Sequence, residues 1–444
     1  MTMKILFSPV GSTDPVRGFR DGALLHILRH YPVDQVIIYM TKQMEEKEDQ
    51  DGIYTKGIRS VAPHCEITWI RSGIENPQSF EALFPMQEAF DEAYTSHEGA
   101  EWLLNISSGT PQMKTIMALC AIDYARCTAI QVYTPAKGAN EKVHPTDESD
   151  MEAMIACNDD DDPSAPNRCR PQSLHVLRKY GVRLQIESLI DEYEYEGALE
   201  IARQNRTLFS DLVMRLLQHG AYRSNLMWKK ANQIIADYKG RPLIPQASDM
   251  QEYFLAAEIR QQKGELPDFI VKLSPLLMEI GMKYLREMPK FHIDDYCFWN
   301  KKKECWILKR AKANAANAKF VSYIEGYYGN MLRDDPLKFE TIVHLCQYWS
   351  DHELIGDTHH SQVTDCFCRL RNIEESVRNQ VAHRIINISD EEIRRITKEA
   401  QGTAIDSAGI MRLLHRAVQL VYKRDILLQS QYGMLNQIIK EELK

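Results

Sequence analysis

Along the first 135 residues, short apolar runs alternate with amphipathic stretches. Lys4–Pro9, Gln35–Met40, Cys65–Ile70, Trp102–Ser107 and Thr128–Thr134 are rich in Ile, Val and aromatic residues and are bounded by turn formers, which predicts strands. Between them, Asp21–His30, Ser79–Tyr94 (broken near Pro85) and Pro111–Arg126 carry helical periodicity. Strands separated by helices of this length predict a parallel sheet with helices on its faces. The N-terminal part therefore reads as a Rossmann-like α/β domain.

Beyond it the texture changes. Residues 158–171 contain four consecutive acids and three prolines with almost nothing apolar, which predicts a surface loop or linker. From Gln172 to Lys444 the pattern is predominantly helical. Leu174, Val176 and Leu177 lead into Leu184, Ile186, Leu189 and Ile190, and later Ile410, Leu413, Leu414, Ala417, Val418 and Val421 keep a period near 3.6. Breaks at Gly240–Pro242, Gly264–Pro267 and Asp334–Pro336 divide this half, and no internal repeat of fixed period is visible. The expected organisation is 1–157, a linker over 158–171, a helical connector over 172–265 and a second domain over 266–444.

Composition removes several classes. With 444 residues, 44% hydrophobic and 26% charged, the chain is not broadly disordered. No uncharged apolar run approaches the roughly 18–20 residues of a membrane span, and the opening Met1–Phe7 is too brief for the apolar core of a signal peptide. A soluble, cytoplasmic protein without membrane association is expected. Ten cysteines without a secretory signal are expected as reduced thiols rather than a disulfide framework. His344, His352, His359 and His360 with Cys346, Cys366 and Cys368 can be assembled into a metal site on paper, but no pair repeats a known ligand spacing. No metal is therefore expected. The net charge of −8 argues against a surface that binds nucleic acid throughout, and leaves room for a local phosphate site.

Three places could carry chemistry. Pro9–Pro15 follows the first strand, where open parallel sheets bind ligands. Gly11 permits a tight turn, Ser12 and Thr13 offer hydroxyls, and Asp14 can cap a helix with Pro15 in its first turn. A plain strand-to-helix turn is the competing reading. The second place, Asn105–Gln112, follows the fourth strand. Thr110 reads as an N-cap and Pro111 as the first residue of a helix carrying Ile116, Leu119, Cys120 and Tyr124 on one face. The turn Ser107, Ser108, Gly109 and Thr110 would then present amides and three hydroxyls suited to a phosphate or ribose. Neither loop has the Gly-x-Gly-x-x-Gly of a dinucleotide site or the Gly-Lys-Ser/Thr of a P-loop, so a nucleotide-like ligand of another kind fits better.

The third place is Arg378-Asn379-Gln380-Val381-Ala382-His383, which continues an apolar stripe of Ile373, Val377 and Val381. Metal-free RNA cleavage needs a group for the proton of the attacking 2′-hydroxyl and a cation for the phosphate. Histidine and arginine suit those tasks, and Asn379 could orient either. On periodicity alone His383 reads as a surface or interface histidine. A five-residue offset is about 140° around a helix, so joint action needs a helix irregularity or a second copy from a partner subunit. Separately, Lys301, Lys302, Lys303, Lys309, Arg310, Lys312 and Lys319 stand against Glu304 alone, with Phe298, Trp299, Trp306 and Phe320 interleaved or adjacent. Such a mixture suits single-stranded RNA; a solvated helix with core aromatics is the alternative.

Taken together, the Gly-Ser-Thr-Asp-Pro loop at 11–15, the Ser-Ser-Gly-Thr-Pro-Gln loop at 107–112 and Arg-Asn-x-x-x-His at 378–383 occur in an order that resembles the accessory ribonucleases of type III-A CRISPR systems, the sixth-protein family of the Csm series. The likeness spans essentially the whole chain, and the opening MKILFSPVGSTDP is most similar to streptococcal and enterococcal members. The resemblance implies an N-terminal CARF domain, α/β with a parallel sheet, and a C-terminal all-α HEPN region. It implies a homodimer in which CARF binds cyclic oligoadenylate, with the six-membered ring favoured, and HEPN then cuts single-stranded RNA without a metal. By similarity Arg378, Asn379 and His383 are catalytic, while Gly11, Ser12, Thr13, Asp14, Ser107, Ser108, Gly109, Thr110 and Gln112 line the activator site. Some members carry asparagine where Ser12 stands. Slow cleavage of the activator is also implied, with Thr110 the candidate participant, and no stable association with the CRISPR effector complex is required. The helices from Leu174 to about residue 265 are the expected transmitters between the two sites. The alternatives are a ligand-sensing transcription regulator, which would need a basic recognition helix, and a non-catalytic dimeric binding protein.

Overall fold

The computed structural model describes residues 2–134, 151–239, 248–289, 291–352, 357–378 and 388–444. The chain forms two compact units, Met1–Gly181 and Val182–Lys444.

In the first unit six strands form one sheet: β1 (Lys4–Pro9), β2 (Gln35–Met40), β3 (Glu66–Arg71), β4 (Glu101–Asn105), β5 (Cys127–Val132) and β6 (Cys169–Gln172). Their order is β3-β2-β1-β4-β5-β6, with every pairing parallel except the antiparallel β5–β6 edge. Gln35–Met40 is buried along its whole length and Lys4–Pro9 along all but Lys4, as expected for central strands covered on both faces. The two-residue period sorts their side chains. Leu6, Val36 and Ile38 pack with Leu24, Ile27, Ile53 and Ile58 on one side. Ile5, Phe7, Ile37 and Tyr39 pack with Phe90, Trp102, Met113, Ile116 and Met117 on the other.

The five predicted strands are present, and the helix Pro111–Asp123 begins at the expected proline. Its buried stripe is Met113, Ile116, Met117 and Cys120, whereas Leu119, expected on that face, is 48% exposed. Pro85 does not break a helix: it sits in the first turn of Phe84–Ser96, where a missing amide costs nothing. Two helices, Lys42–Asp51 and Ile53–Val61, fill the connection from β2 to β3 without having been predicted. The first buries only Met44, so it has no apolar stripe to read. Gly52 joins the two at φ +62°.

A larger correction concerns 158–171, read as a surface loop or linker. Cys169–Gln172 is the edge strand β6, and Asn158 and Asp160 are buried. Asp160 Oδ2 accepts from the Asp21 amide at 2.8 Å and from Arg168 at 2.6 Å. Asn158 donates to Asp21 at 2.6 Å, and Arg29 donates to the same carboxylate at 2.7 Å. Of the four consecutive acids only Asp160 is drawn inside, with Asn158 beside it, by Arg168 and by Asp21 more than a hundred residues away, which composition cannot show. Asp21, His26 and Asp160 lie close enough together to suggest a metal, but two guanidinium groups already neutralise these carboxylates.

The second unit is built on four mutually packed helices, Leu266–Glu287, Phe339–Asp351, Thr358–Ile373 and Ser407–Tyr422. Gly281 lets the first and second approach: a Cβ there would lie 3.1 Å from Ile342 and Phe339. Arg223 and Glu252 form a buried bidentate pair at 2.8 and 2.9 Å. The helical reading omitted a small antiparallel sheet of β7 (Cys297–Asn300), β8 (Cys305–Leu308) and β9 (Asp335–Pro336). Clustered lysines hid its short apolar runs. Among the described residues no helix is long and apolar enough to cross a membrane.

Candidate functional site

The strand order reverses between β1 and β4, and the two loops singled out in the sequence leave the carboxyl ends of those two strands. This is the switch point at which open α/β sheets bind ligands. The loops meet there. A Cβ on Gly11 would lie 3.0 Å from the amide nitrogen of Gly109 and 3.1 Å from its Cα, and Gly109 itself has φ +83°.

Hydrogen bonds show which residues build this crossing. Asn105, fully buried at the end of β4, donates to Ser8 Oγ at 2.9 Å and to Ser108 Oγ at 2.8 Å. Its Oδ1 accepts from the amides of Ser107 and Ser108 at 2.8 and 3.3 Å. Asp14 is also buried; its carboxylate accepts from the amides of Gly11 at 3.2 Å and Leu24 at 3.1 Å and from the Ser108 hydroxyl. Burial pushes the Asp14 carboxyl above its ordinary range, although these bonds oppose the shift. Asp14 and Ser108 were expected to touch a ligand; they face inward and brace the loops. The cap is likewise longer-range than expected. A small hairpin, Val16–Arg17 with Arg20–Asp21, follows Pro15, and the helix starts only at Ala23, so Asp14 reaches across it to Leu24.

Thr110 caps its helix as predicted, accepting from the Met113 amide at 3.3 Å while donating to the Pro77 carbonyl at 2.7 Å. Ser107 Oγ accepts from the Val132 amide at 2.7 Å. Ser12 is exposed, and Thr13 and Gln112 are half-buried. The enclosed Oε1 of Gln112 has no hydrogen-bond partner among the described residues. Lys114, absent from the sequence-based set, stands in the first turn of the same helix and is close enough to Asp14 to stabilise its charge. That turn holds no acid. The helix N-terminus, Lys114 and the uncommitted groups of Ser12, Thr13 and Gln112 together suit an anionic, hydroxyl-bearing ligand. Asn105 and Lys114 were both findable: one is a polar residue ending an apolar strand, the other a cation in a first helical turn.

In the second unit the helix Thr358–Ile373 passes into a π-helical turn, Glu374–Arg378. Arg378 closes this turn, and π-turns occur often at functional sites. Ile373 and Val377 are fully buried and anchor the turn. Arg378 is half-buried and has no ion pair or hydrogen bond among the described residues, whereas the nearby Arg371 is committed to Glu340, Glu374 and Glu375. Asn379 and His383 lie outside the described residues.

The four histidines weighed as metal ligands have other partners. His344 meets Gln347 and His352 meets the Tyr348 carbonyl, both at 3.0 Å. His359 meets the Leu420 carbonyl at 2.9 Å. His360 lies between Tyr284 at 2.7 Å and the Cys346 carbonyl at 3.0 Å. Burial pushes the Cys366 thiol up to about 11.

The family model described as the Csm6 HEPN domain matches residues 243–440, that of the Csm6 CARF domain matches 64–169, and that of the Csm6 6H domain matches 173–224. A curated relative, the CRISPR system endoribonuclease Csm6 of Enterococcus italicus, is 30% identical over 302 residues, covering 64% of this chain and 67% of its own. The protein of that name from Mycobacterium tuberculosis is 26% identical over 409 residues, covering 89% and 90%. Among solved structures, Enterococcus italicus Csm6 bound to cyclic hexa-2′-fluoro-hexa-dAMP superposes with a TM-score of 0.64 at 22% identity, covering 99% of this chain and 100% of that one.

Proposed function

The chain belongs to the Csm6 family of CRISPR-system endoribonucleases, with CARF and HEPN domains, and from that premise we propose that it cuts single-stranded RNA when a cyclic oligoadenylate occupies the crossing of the 11–15 and 107–112 loops. The observation that carries the reading is the uncommitted Arg378 on a π-turn, at the start of the Arg-Asn-x-x-x-His motif. His383 takes the proton from the ribose 2′-hydroxyl. The 2′-oxygen then bonds to phosphorus while the bond to the 5′-oxygen breaks, and the departing oxygen takes a proton from the imidazolium so formed, directly or through water. Arg378 holds the phosphate as charge develops on it, and Asn379 orients the imidazole or a phosphate oxygen. These residues come from both subunits of a homodimer and need no metal. Domain limits are proposed at 1–157 for CARF and 266–444 for HEPN, with 172–265 transmitting the signal.

For the activator we propose the six-membered adenylate ring, supported by the hexa-adenylate analogue bound to the Enterococcus italicus relative. A two-fold ring suits a two-fold dimer, since each half meets the same loops. Ser12, Thr13, Gln112 and Lys114 would contact it, on the frame set by Asp14, Asn105 and Ser108. Slow ring cleavage involving Thr110 would make the signal self-limiting. The protein would act in the cytoplasm, without a lasting complex with the CRISPR effector. RNA cleavage in a chelator, with and without defined rings, tests this reading.

A further inference from the structure

Strands β7 and β8 form a hairpin whose connecting turn is Lys301-Lys302-Lys303-Glu304. Trp299 and Trp306 lie directly opposite in its register, so both indoles project from one face, their ring centroids 5.7 Å apart. Trp306 packs against the core and backs Trp299, which is 45% exposed. At the tip, Asn300 Oδ1 accepts from the amides of Lys302 and Lys303 at 3.0 and 3.1 Å and fixes the turn.

The basic run of the sequence thereby separates into two groups. Lys309 pairs with Asp334 at 2.6 Å, Arg310 pairs with Glu325 at 2.7 Å, and Lys312 bonds to the carbonyls of Asp294 and Cys297. Those cations hold the base of the hairpin. Lys301, Lys302 and Lys303 are exposed and have no carboxylate partner among the described residues. The element is firmly rooted: the Lys309 amide bonds to the Tyr296 carbonyl at 2.9 Å, and the Tyr296 ring stacks on Phe291 and meets Trp349 edge-on. Trp349 belongs to Phe339–Asp351, which packs against the helix leading to Arg378.

We propose that this hairpin is a docking element for single-stranded RNA, in which the three lysines take phosphates and Trp299 takes a stacked base. The inference rests on the ribonuclease reading and adds a substrate-holding surface to it. Three unpaired cations on a chain of net charge −8 favour a polyanion over a protein face. A rigid, backed indole accepts any base, so this contact would not select sequence.

The test uses the full chain and a fluorescent 2′-O-methyl oligoribonucleotide, which binds without being cut, in an anisotropy titration over a salt series. Trp299→Ala should weaken binding about tenfold, with Trp299→Phe recovering most of the loss. Joint Lys301→Glu, Lys302→Glu and Lys303→Glu should weaken it further and flatten the salt slope by about 2, at ~0.7 per phosphate. In cleavage assays KM should rise in both variants while kcat holds. Unchanged affinity and slope, with the unmodified protein still cutting RNA, would overturn the hairpin's role and leave the ribonuclease reading intact. Loss of dimerisation with unchanged RNA affinity would also overturn it, marking a protein-facing surface. If the unmodified protein neither binds nor cuts RNA with any ring, both ideas fall.

Discussion

Gly11 and Gly109 meet backbone to backbone, with only about 3.0 Å left between a would-be Cβ of Gly11 and the Gly109 amide nitrogen. The loops after β1 and β4 thereby pack as one structural unit, held by Asn105 and Asp14. The neighbour at this crossing is main chain, which cannot swing aside as a long side chain would. Gly11→Ala should therefore displace one loop at an overpacking cost of about 1–3 kcal/mol. Ring affinity should fall while the thermal transition of the second unit stays in place. Titration calorimetry with cyclic hexa-adenylate checks the first outcome and differential scanning calorimetry the second.

The catalytic assignment predicts a separation of functions. Arg378→Ala and His383→Ala should each lower activated RNA cleavage by about 10²–10⁴-fold, while ring binding is unchanged. Near-full stimulated activity in His383→Ala would remove that residue from the mechanism.

Asp21 gives the first unit a defined acid response. Burial alone would raise its carboxyl, but hydrogen bonds from His26 and Arg29, the charge of Arg29 and a bond from Asn158 outweigh that and hold it well below the ordinary value of 3.8. The folded state thus binds fewer protons here than the unfolded state. The resulting stability is present above about pH 3.8 and is lost as pH falls below it toward the folded value. Asp21→Asn should flatten this dependence, as read from denaturant midpoints between about pH 6 and about pH 3.

Removing one partner of the buried Arg223–Glu252 pair leaves the other without compensation. Glu252→Gln should destabilise the second unit by about 3–5 kcal/mol, measurable by urea unfolding. Joint replacement of both residues by apolar side chains of similar volume should cost much less.

Much of this was legible in the sequence, for physical reasons that differ by residue. Central strands such as Gln35–Met40 are apolar from Val36 onward and bounded by turns, so their run of hydrophobicity announces them. Thr110 and Pro111 carry local cap chemistry that needs no tertiary partner. What stayed hidden depends on distant partners or masked patterns. Asp160 reads as a solvated acid until Arg168 and the Asp21 amide are placed beside it. Asp14 reads as a ligand contact until its carboxylate is seen filled by Gly11, Leu24 and Ser108. The β7–β8 hairpin was obscured because its two short apolar runs flank three lysines, a pattern shared with a solvated helix.

The most direct measurement is cleavage of a fluorescent single-stranded RNA in EDTA, with cyclic tetra-adenylate, cyclic hexa-adenylate or neither. The account predicts strong stimulation by the six-membered ring, little by the four-membered ring, and activity that survives the chelator. Absence of cleavage from folded, dimeric protein under all three conditions would contradict it.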